Sequence, residues 1–468
     1  MDFSAYSAWE GILHISVLAL LLLFANVLRR KIPFLRRSLL PTAVIAGFIG
    51  LAFKELIYLR IVDFDVYNAT VDYFRLITYH TIALGFIALG LKVNALVKVK
   101  EKKGRSLFSG LIIVSTYMLQ GIVGLFMSIT LAFTFFPNLF EASGMLLPMG
   151  FGQGPGQAQN IGNVYETFGF VGGTTFGLAI ASFGFIWASV AGVIYLNYLH
   201  RKGKITRSSE SRERRVSSQE IESPDEIPVA EAIDKFTIQI SLVLAVYFVT
   251  YLFIFMVKTI AEAGLLGDFG LGTVLPLIIG FNFIIGMLFA LLFKKFFLWL
   301  RKVNWMTRQY PNNYMLNRIA GLVFDFMIVA SISAIRIEDL NELWVPFMLM
   351  VLIGGLVTLM YVIFICRRVY PDYQIPATLG MFGMLTGTAS TGVVLLREVD
   401  ANFETPAAND LVIGSSTAIL FGFPILLLVG IAPLSLVHTL VTFGIILVLF
   451  TIVITILVKL NPLTKLEK

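Results

Sequence analysis

Two glycine-rich tracts carry the residues best suited to holding a small charged solute. One runs from Gly150 to Gly162 (GFGQGPGQAQNIG) and the other from Thr378 to Gly392 (TLGMFGMLTGTASTG), and neither contains a charged side chain. Where such a tract interrupts a helix, free N–H groups at a helix start can take a carboxylate, helped by the dipole. Free carbonyls at a helix end can take a hard cation such as Na⁺. Glycine permits the positive φ of a tight break and lets a ligand approach the backbone. The candidate solute-binding residues are Gly154, Gly156, Gln157 and Asn160 in the first tract, and Gly387, Thr388, Ser390 and Thr391 in the second. Gln153, Asn163, Asp325 and Gly392 are the candidate sodium positions.

Each candidate has a plainer alternative. Gln and Asn also serve as hydrogen-bonding glue between membrane helices, and Ser390 and Thr391 can bond back to a helix carbonyl. Asp325 lies mid-way along an apolar run, where a carboxylate serves either cation coupling or a structural pair with Tyr, His or Arg. His80 reads as a satisfied residue of the bundle. No nucleophile motif or His/Cys/carboxylate spacing points to an enzyme, and the single cysteine, Cys366, makes no internal disulfide. No cofactor is expected beyond Na⁺ as a coupling ion.

The elements that must position these tracts are membrane helices. The 468-residue chain is 57% hydrophobic and only 14% charged, against about a quarter charged in globular proteins. Apolar runs near 11–28, 39–58, 73–93, 107–135 and 167–199, then 236–262, 271–293, 317–335, 344–366, 409–433 and 436–458 approach or exceed the roughly 20 residues that span hydrocarbon. The expected fold is therefore an all-α integral membrane protein of about 11 transmembrane helices.

Basic residues set the expected orientation. The cluster Arg29–Lys31 follows the first run, whereas a cleaved signal carries its charge before it. By the positive-inside rule the N-terminus lies outside, with the central linker and the C-terminus cytoplasmic. Inside loops then collect Arg36, Arg37, 98–105, 201–215, Lys294, Lys295, Arg301, Lys302, Arg308, Arg318, Arg367, Arg368, Lys465 and Lys468. The net charge of +7 thus reports topology and not nucleic-acid binding. The charged linker at 201–235 buries too little apolar surface to fold alone and reads as a tether. Phe296–Tyr310, which alternates aromatic and basic residues, is expected as an interfacial helix.

Two inverted five-helix repeats follow, at 1–200 and 236–435, with one extra helix and a tail at 436–468. An odd number of crossings per half makes the second half enter the membrane in the opposite sense. Leu91-Lys92-Val93-Asn94-Ala95-Leu96 matches Ile335-Arg336-Ile337-Glu338-Asp339-Leu340 at the end of the third crossing of each half. Each tract falls between a fourth and a fifth crossing. Reading the second as a full crossing would put Lys459, Lys465 and Lys468 outside. Re-entrant hairpins at about 143–165 and 376–396 are expected instead.

The chain resembles the sodium/glutamate symporter family of bacterial secondary transporters. Arg36-Arg37-Ser38-Leu39-Leu40-Pro41 with Ala46-Gly47 is similar to the family's start of the second crossing. Ala88-Leu89-Gly90-Leu91-Lys92-Val93-Asn94-Ala95 is similar to its (T/A)-I-G-L-x-A-N-I segment, and Tyr165–Phe170 to its E-R-Y-G-F. Gly387-Thr388-Ala389-Ser390-Thr391-Gly392 stands where the family has G-A-T-P-T-A. The first loop departs: Gly152-Gln153-Gly154-Pro155-Gly156-Gln157-Ala158 replaces G-G-H-G-T-G-A-A, and Leu395 takes the place of an Asn. The resemblance implies sodium-coupled symport of a small anionic solute, glutamate or a related dicarboxylate, by an elevator-type movement in a homodimer of the inner membrane. The alternative on the same fold is a channel, or a sensor that binds solute without moving it.

Overall fold

The computed structural model describes residues 6–92, 105–205, 235–305, 310–401 and 403–459. The linker expected at 201–235 is described only at its ends, and 98–104, Arg308, Lys465 and Lys468 lie outside the described residues. All the described secondary structure is helical. Among the described residues ten helices are long and apolar enough to cross a membrane, or eleven when a bent pair is counted as one span.

The order of elements occurs twice. Tyr6–Lys31, Thr42–Ile61, Phe64–Leu91 and Arg105–Thr134 precede the first tract, and Gly173–Arg201 follows it. Lys235–Glu262, Asn282–Lys302, Asn313–Ser333 and Trp344–Val369 precede the second tract. The pair Ala407–Ile419 and Phe421–Leu434, bent by 53°, follows it, and Leu436–Lys459 comes last. The bend has a local cause. Pro424 lies inside this helix, and a proline withholds the N–H that the carbonyl four residues earlier would accept and clashes with it. That position is Leu420, where the two segments meet.

Two expectations need correction. The run at 271–293 is not one helix: Gly267–Gly280 ends at a turn on Phe281, and the longer helix is Asn282–Lys302. The Tyr79 side chain satisfies a carbonyl freed there, its Oη donating to that of Ile279 at 3.1 Å, and Asn282 Nδ2 ties the turn to the neighbouring helix by donating to the Tyr79 carbonyl at 3.3 Å. The interfacial helix expected at Phe296–Tyr310 is likewise not separate, because Phe296–Lys302 forms the last turns of Asn282–Lys302.

The chain divides into two compact units. One comprises Met1–Phe74, Lys100–Arg212 and Ser331–Lys468, and contains both glycine-rich tracts. The other comprises Arg75–Val99 and Glu213–Ala330. Its core packs Ile87, Ala88 and Leu91 against Val243, Val246, Ala290, Leu316, Ile319 and Ala320. His80 belongs to this unit and bonds the Tyr247 hydroxyl, the satisfied role expected of it.

The first unit buries a lysine. Lys54 is 3% exposed and lies in a π-helical turn, Lys54–Tyr58, of the second helix. Its Nζ donates to Glu55 Oε1 at 2.6 Å, to Tyr67 Oη at 2.9 Å and to the Ile335 carbonyl at 2.6 Å. Tyr67 in turn donates to Glu55 Oε1 at 2.7 Å. One cation thus joins the second helix, the third and the segment after Ser333. Lys54→Met leaves the Glu55 carboxylate without its cation, and breaking a buried pair costs about 3–5 kcal/mol. Tyr67→Phe removes hydrogen bonds but leaves the charges paired, at about 1 kcal/mol per bond. Thermal unfolding in detergent should rank the melting temperatures wild type > Tyr67→Phe > Lys54→Met.

Candidate functional site

Each tract is a helix–break–helix unit. In the first, a 3₁₀ turn Glu141–Met145 and a π turn Pro148–Gln153 lead to a break at Gly154, after which Pro155–Thr167 is α-helical. Gly154 has φ 103° and ψ −179°, a conformation open to glycine and strained for other residues. Pro155 begins the helix, where its missing N–H costs nothing. The Gly154 carbonyl accepts from Ala158 N at 3.1 Å. The N–H groups of Gly156 and Gln157 therefore head the helix without an acceptor in the preceding turn.

The second tract runs as Gln374–Thr386, a break at Gly387 and Thr388, and Ala389–Arg397. Thr388 is the N-cap, its Oγ1 taking Thr391 N at 3.4 Å and lying 3.2 Å from Thr391 Oγ1. The two arms pack together: a methyl on Gly392 would stand 2.4 Å from the Gly380 carbonyl, so only glycine fits this crossing.

The two breaks adjoin. A methyl on Gly154 would stand 4.0 Å from the Gly387 carbonyl and 3.9 Å from Gln157 Oε1. Helix Gly173–Arg201 lies beside both tracts: at Gly184 a methyl would meet the Thr386 carbonyl and the Phe151 ring, and Phe185 borders Gly387. The Tyr165 hydroxyl donates to the Val429 carbonyl at 2.8 Å. Pro433, four residues after Val429, has no N–H to give that carbonyl, so the tyrosine fills a gap left by the proline.

The structure brings together Gly154, Gly156, Gln157, Gly387, Thr388 and Thr391, all buried except Thr388, which is half-buried. Gln153 is half-buried at the end of the first arm, and Gly392 is buried between the arms of the second. Asn160 is buried one turn further on and has polar contacts of its own. Ser390 is exposed, and so is Asn163, in the third turn of its helix. Asp325 belongs to the other unit, is exposed on Asn313–Ser333, and among the described residues makes no hydrogen bond or ion pair. Among the described residues no cluster of three His, Cys, Asp or Glu forms. Any cation at the breaks would therefore rely on backbone, amide and hydroxyl oxygens.

The profile of the sodium/glutamate symporter family matches residues 10–405. The chain belongs to that family. A search of curated proteins finds no match. The family is one of symporters, not enzymes, and with ten or more apolar helices this member is a multi-pass membrane protein. The match covers both tracts and ends before Leu436–Lys459.

Two positions in the family-like segments have physical roles in this symporter. Leu395, standing where the family has Asn, is fully buried, its side chain 2.8 Å from a methyl built on Gly192 and 2.9 Å from one built on Gly383. It packs the second tract onto Gly173–Arg201. Glu166 Oε1 accepts from Thr174 N at 2.9 Å, a carboxylate at a helix N-terminus where the dipole favours it.

One residue escaped the sequence reading. Gln120, the single amide in Arg105–Thr134, is 1% exposed and donates through Nε2 to the Leu385 carbonyl at 2.8 Å and to Thr358 Oγ1 at 3.2 Å. A glutamine in an otherwise apolar crossing was the available signal.

Gly154→Ala meets no atom closer than 3.9 Å, so its cost is backbone strain, about 1–3 kcal/mol. Gly392→Ala drives a methyl into the Gly380 carbonyl and forces the arms apart, and should lower the melting temperature further. Gly444→Ala, inside the helix Leu436–Lys459 with nothing within 4 Å of the added methyl, should leave it unchanged or raise it slightly. Thermal unfolding of the three variants in detergent checks the order.

Proposed function

We propose that this symporter carries glutamate or a related dicarboxylate into the cell, driven by inward Na⁺ flow. The two tracts are read as tips of re-entrant hairpins that enter the membrane from opposite sides in two inverted repeats. The observation that carries this reading is the approach of Gly154 to the Gly387 carbonyl. Two interrupted helices whose breaks adjoin offer free N–H groups and free carbonyls in one place, which suits an anion and its coupling cation together.

In this reading the N–H groups of Gly156 and Gln157, and those at Ala389 and Ser390, receive carboxylate. The Gln157 amide and the hydroxyls of Thr388, Ser390 and Thr391 select the rest of the solute, with Asn160 supporting the helix behind them. Sodium is held by oxygens near Gln153 and Gly392, with Asn163 and Asp325 as further candidates. An elevator movement, in which a domain bearing both hairpins slides against a scaffold, is supported by the division into two units with both tracts in one. The remaining proposals are a homodimer in the inner membrane, an external N-terminus, and a cytoplasmic linker and C-terminus.

Proteoliposome uptake of radiolabelled glutamate tests the reading. The expected result is saturable uptake that requires an inward Na⁺ gradient and disappears when K⁺ replaces Na⁺. Uptake indifferent to Na⁺ would overturn the coupling. Flux that never saturates would favour a channel, and binding without flux a sensor.

A further inference from the structure

We propose that Gln120 presents its side-chain oxygen to a positively charged group at the junction of the two breaks, either the transported sodium ion or the ammonium of an amino-acid solute. The proposal rests on the symport reading and adds a residue outside both tracts.

The partners of the Gln120 amide fix its orientation. Thr358 Oγ1 donates its proton to the Gly354 carbonyl at 2.7 Å, so toward Gln120 it can only accept. The Leu385 carbonyl, the other partner, can only accept as well. Both contacts demand N–H groups, which places Nε2 there and turns Oε1 the other way. Among the described residues Oε1 has no hydrogen-bonding partner, although Gln120 is 1% exposed. Leaving such an acceptor unsatisfied forfeits its hydration with nothing in return, and buried polar atoms are generally partnered.

Oε1 faces the first tract. A methyl on Gly152 would stand 2.9 Å from it, and the Tyr117 ring, one turn earlier on the same helix, lies against the same glycine. Gly152 is the penultimate residue of the π turn Pro148–Gln153, and Leu385 that of the helix Gln374–Thr386. Gln120 therefore touches the C-terminal ends of both leading arms. Those ends carry carbonyls and the negative end of the helix dipole. An amide oxygen added to them makes an acceptor-rich position, suited to a cation. The anion has its own place at the N–H groups heading Pro155–Thr167 and Ala389–Arg397.

Two measurements on the full-length protein test this. The first is the thermal shift in detergent on adding NaCl rather than choline chloride, without solute. The second is uptake, giving half-saturation values for Na⁺ and glutamate, with glutarate, which lacks the ammonium, as competitor. If Gln120 faces sodium, Gln120→Leu loses the Na⁺-induced shift and raises the Na⁺ half-saturation at least tenfold. If it faces the ammonium, the Na⁺ shift survives, glutamate half-saturation rises at least tenfold, and glutarate competes as before. Gln120→Glu keeps an oxygen in place and adds negative charge, so it should retain the Na⁺ shift or lower the half-saturation of the same cation. It also serves if the leucine variant fails to fold. Na⁺ and glutamate responses equal to wild type in the folded variants would overturn the role of Gln120 and leave the symport reading standing. A wild-type protein with no Na⁺ response would overturn both.

Discussion

A helix that stops inside hydrocarbon leaves N–H and C=O groups that water cannot reach, each costing several kcal/mol unless the protein supplies a partner. The chain interrupts its helices at Gly154, at Gly387 and at Phe281, and neighbouring groups answer the same demand there. Thr388 caps the helix that restarts after Gly387, and Gln120 takes the carbonyl of Leu385 from a different helix. Tyr79 does the corresponding work at Phe281, donating to the Ile279 carbonyl. Carbonyls left open by proline follow the same rule, as at Val429 with Tyr165. What distinguishes Gly154 and Gly387 is that the two breaks adjoin. Their open groups are therefore gathered in one place instead of being closed off separately.

Close packing holds that arrangement. Apolar side chains gain little by leaving lipid for one another, so membrane helices associate through small residues that let backbones approach. Gly392 against the Gly380 carbonyl, and Gly184 against that of Thr386, are contacts of this kind. Leu395 fills the space between Gly192 and Gly383. Charge plays a second role at the edges, where Lys54 ties three segments through Glu55, Tyr67 and the Ile335 carbonyl. Asp339 accepts from Thr175 at 2.8 Å, which joins the segment after Ser333 to the helix that follows the first tract.

Most of the fold was legible in the sequence because a membrane crossing is a one-dimensional signal: a run of apolar residues of sufficient length forms a helix whatever its neighbours are. The spans from Tyr6–Lys31 to Leu436–Lys459 follow the apolar runs, and both tracts stood out because many glycines without charge suit neither a crossing nor a solvated loop. That signal is silent about breaks and partners. At 271–293 the apolar run continues through the turn at Phe281, and the polar groups that stabilise the turn come partly from Tyr79, two hundred residues away. Lys54 lies in the apolar run at 39–58, and its burial rests on Tyr67 and the Ile335 carbonyl, partners that no local pattern names.

The sequence by itself determined that this is an all-helical membrane protein, that two uncharged glycine-rich tracts interrupt it at matching places, and which backbone and amide groups those tracts offer. Those properties depend on composition and local spacing. Only the tertiary structure decided that Gly154 and Gly387 adjoin, that Asn163 and Ser390 are exposed while Gln157 and Thr391 are buried, and that Gln120 reaches both leading arms. The reason is physical: which groups share a site depends on how helices distant in the chain pack through their small residues, and no local pattern encodes that distance.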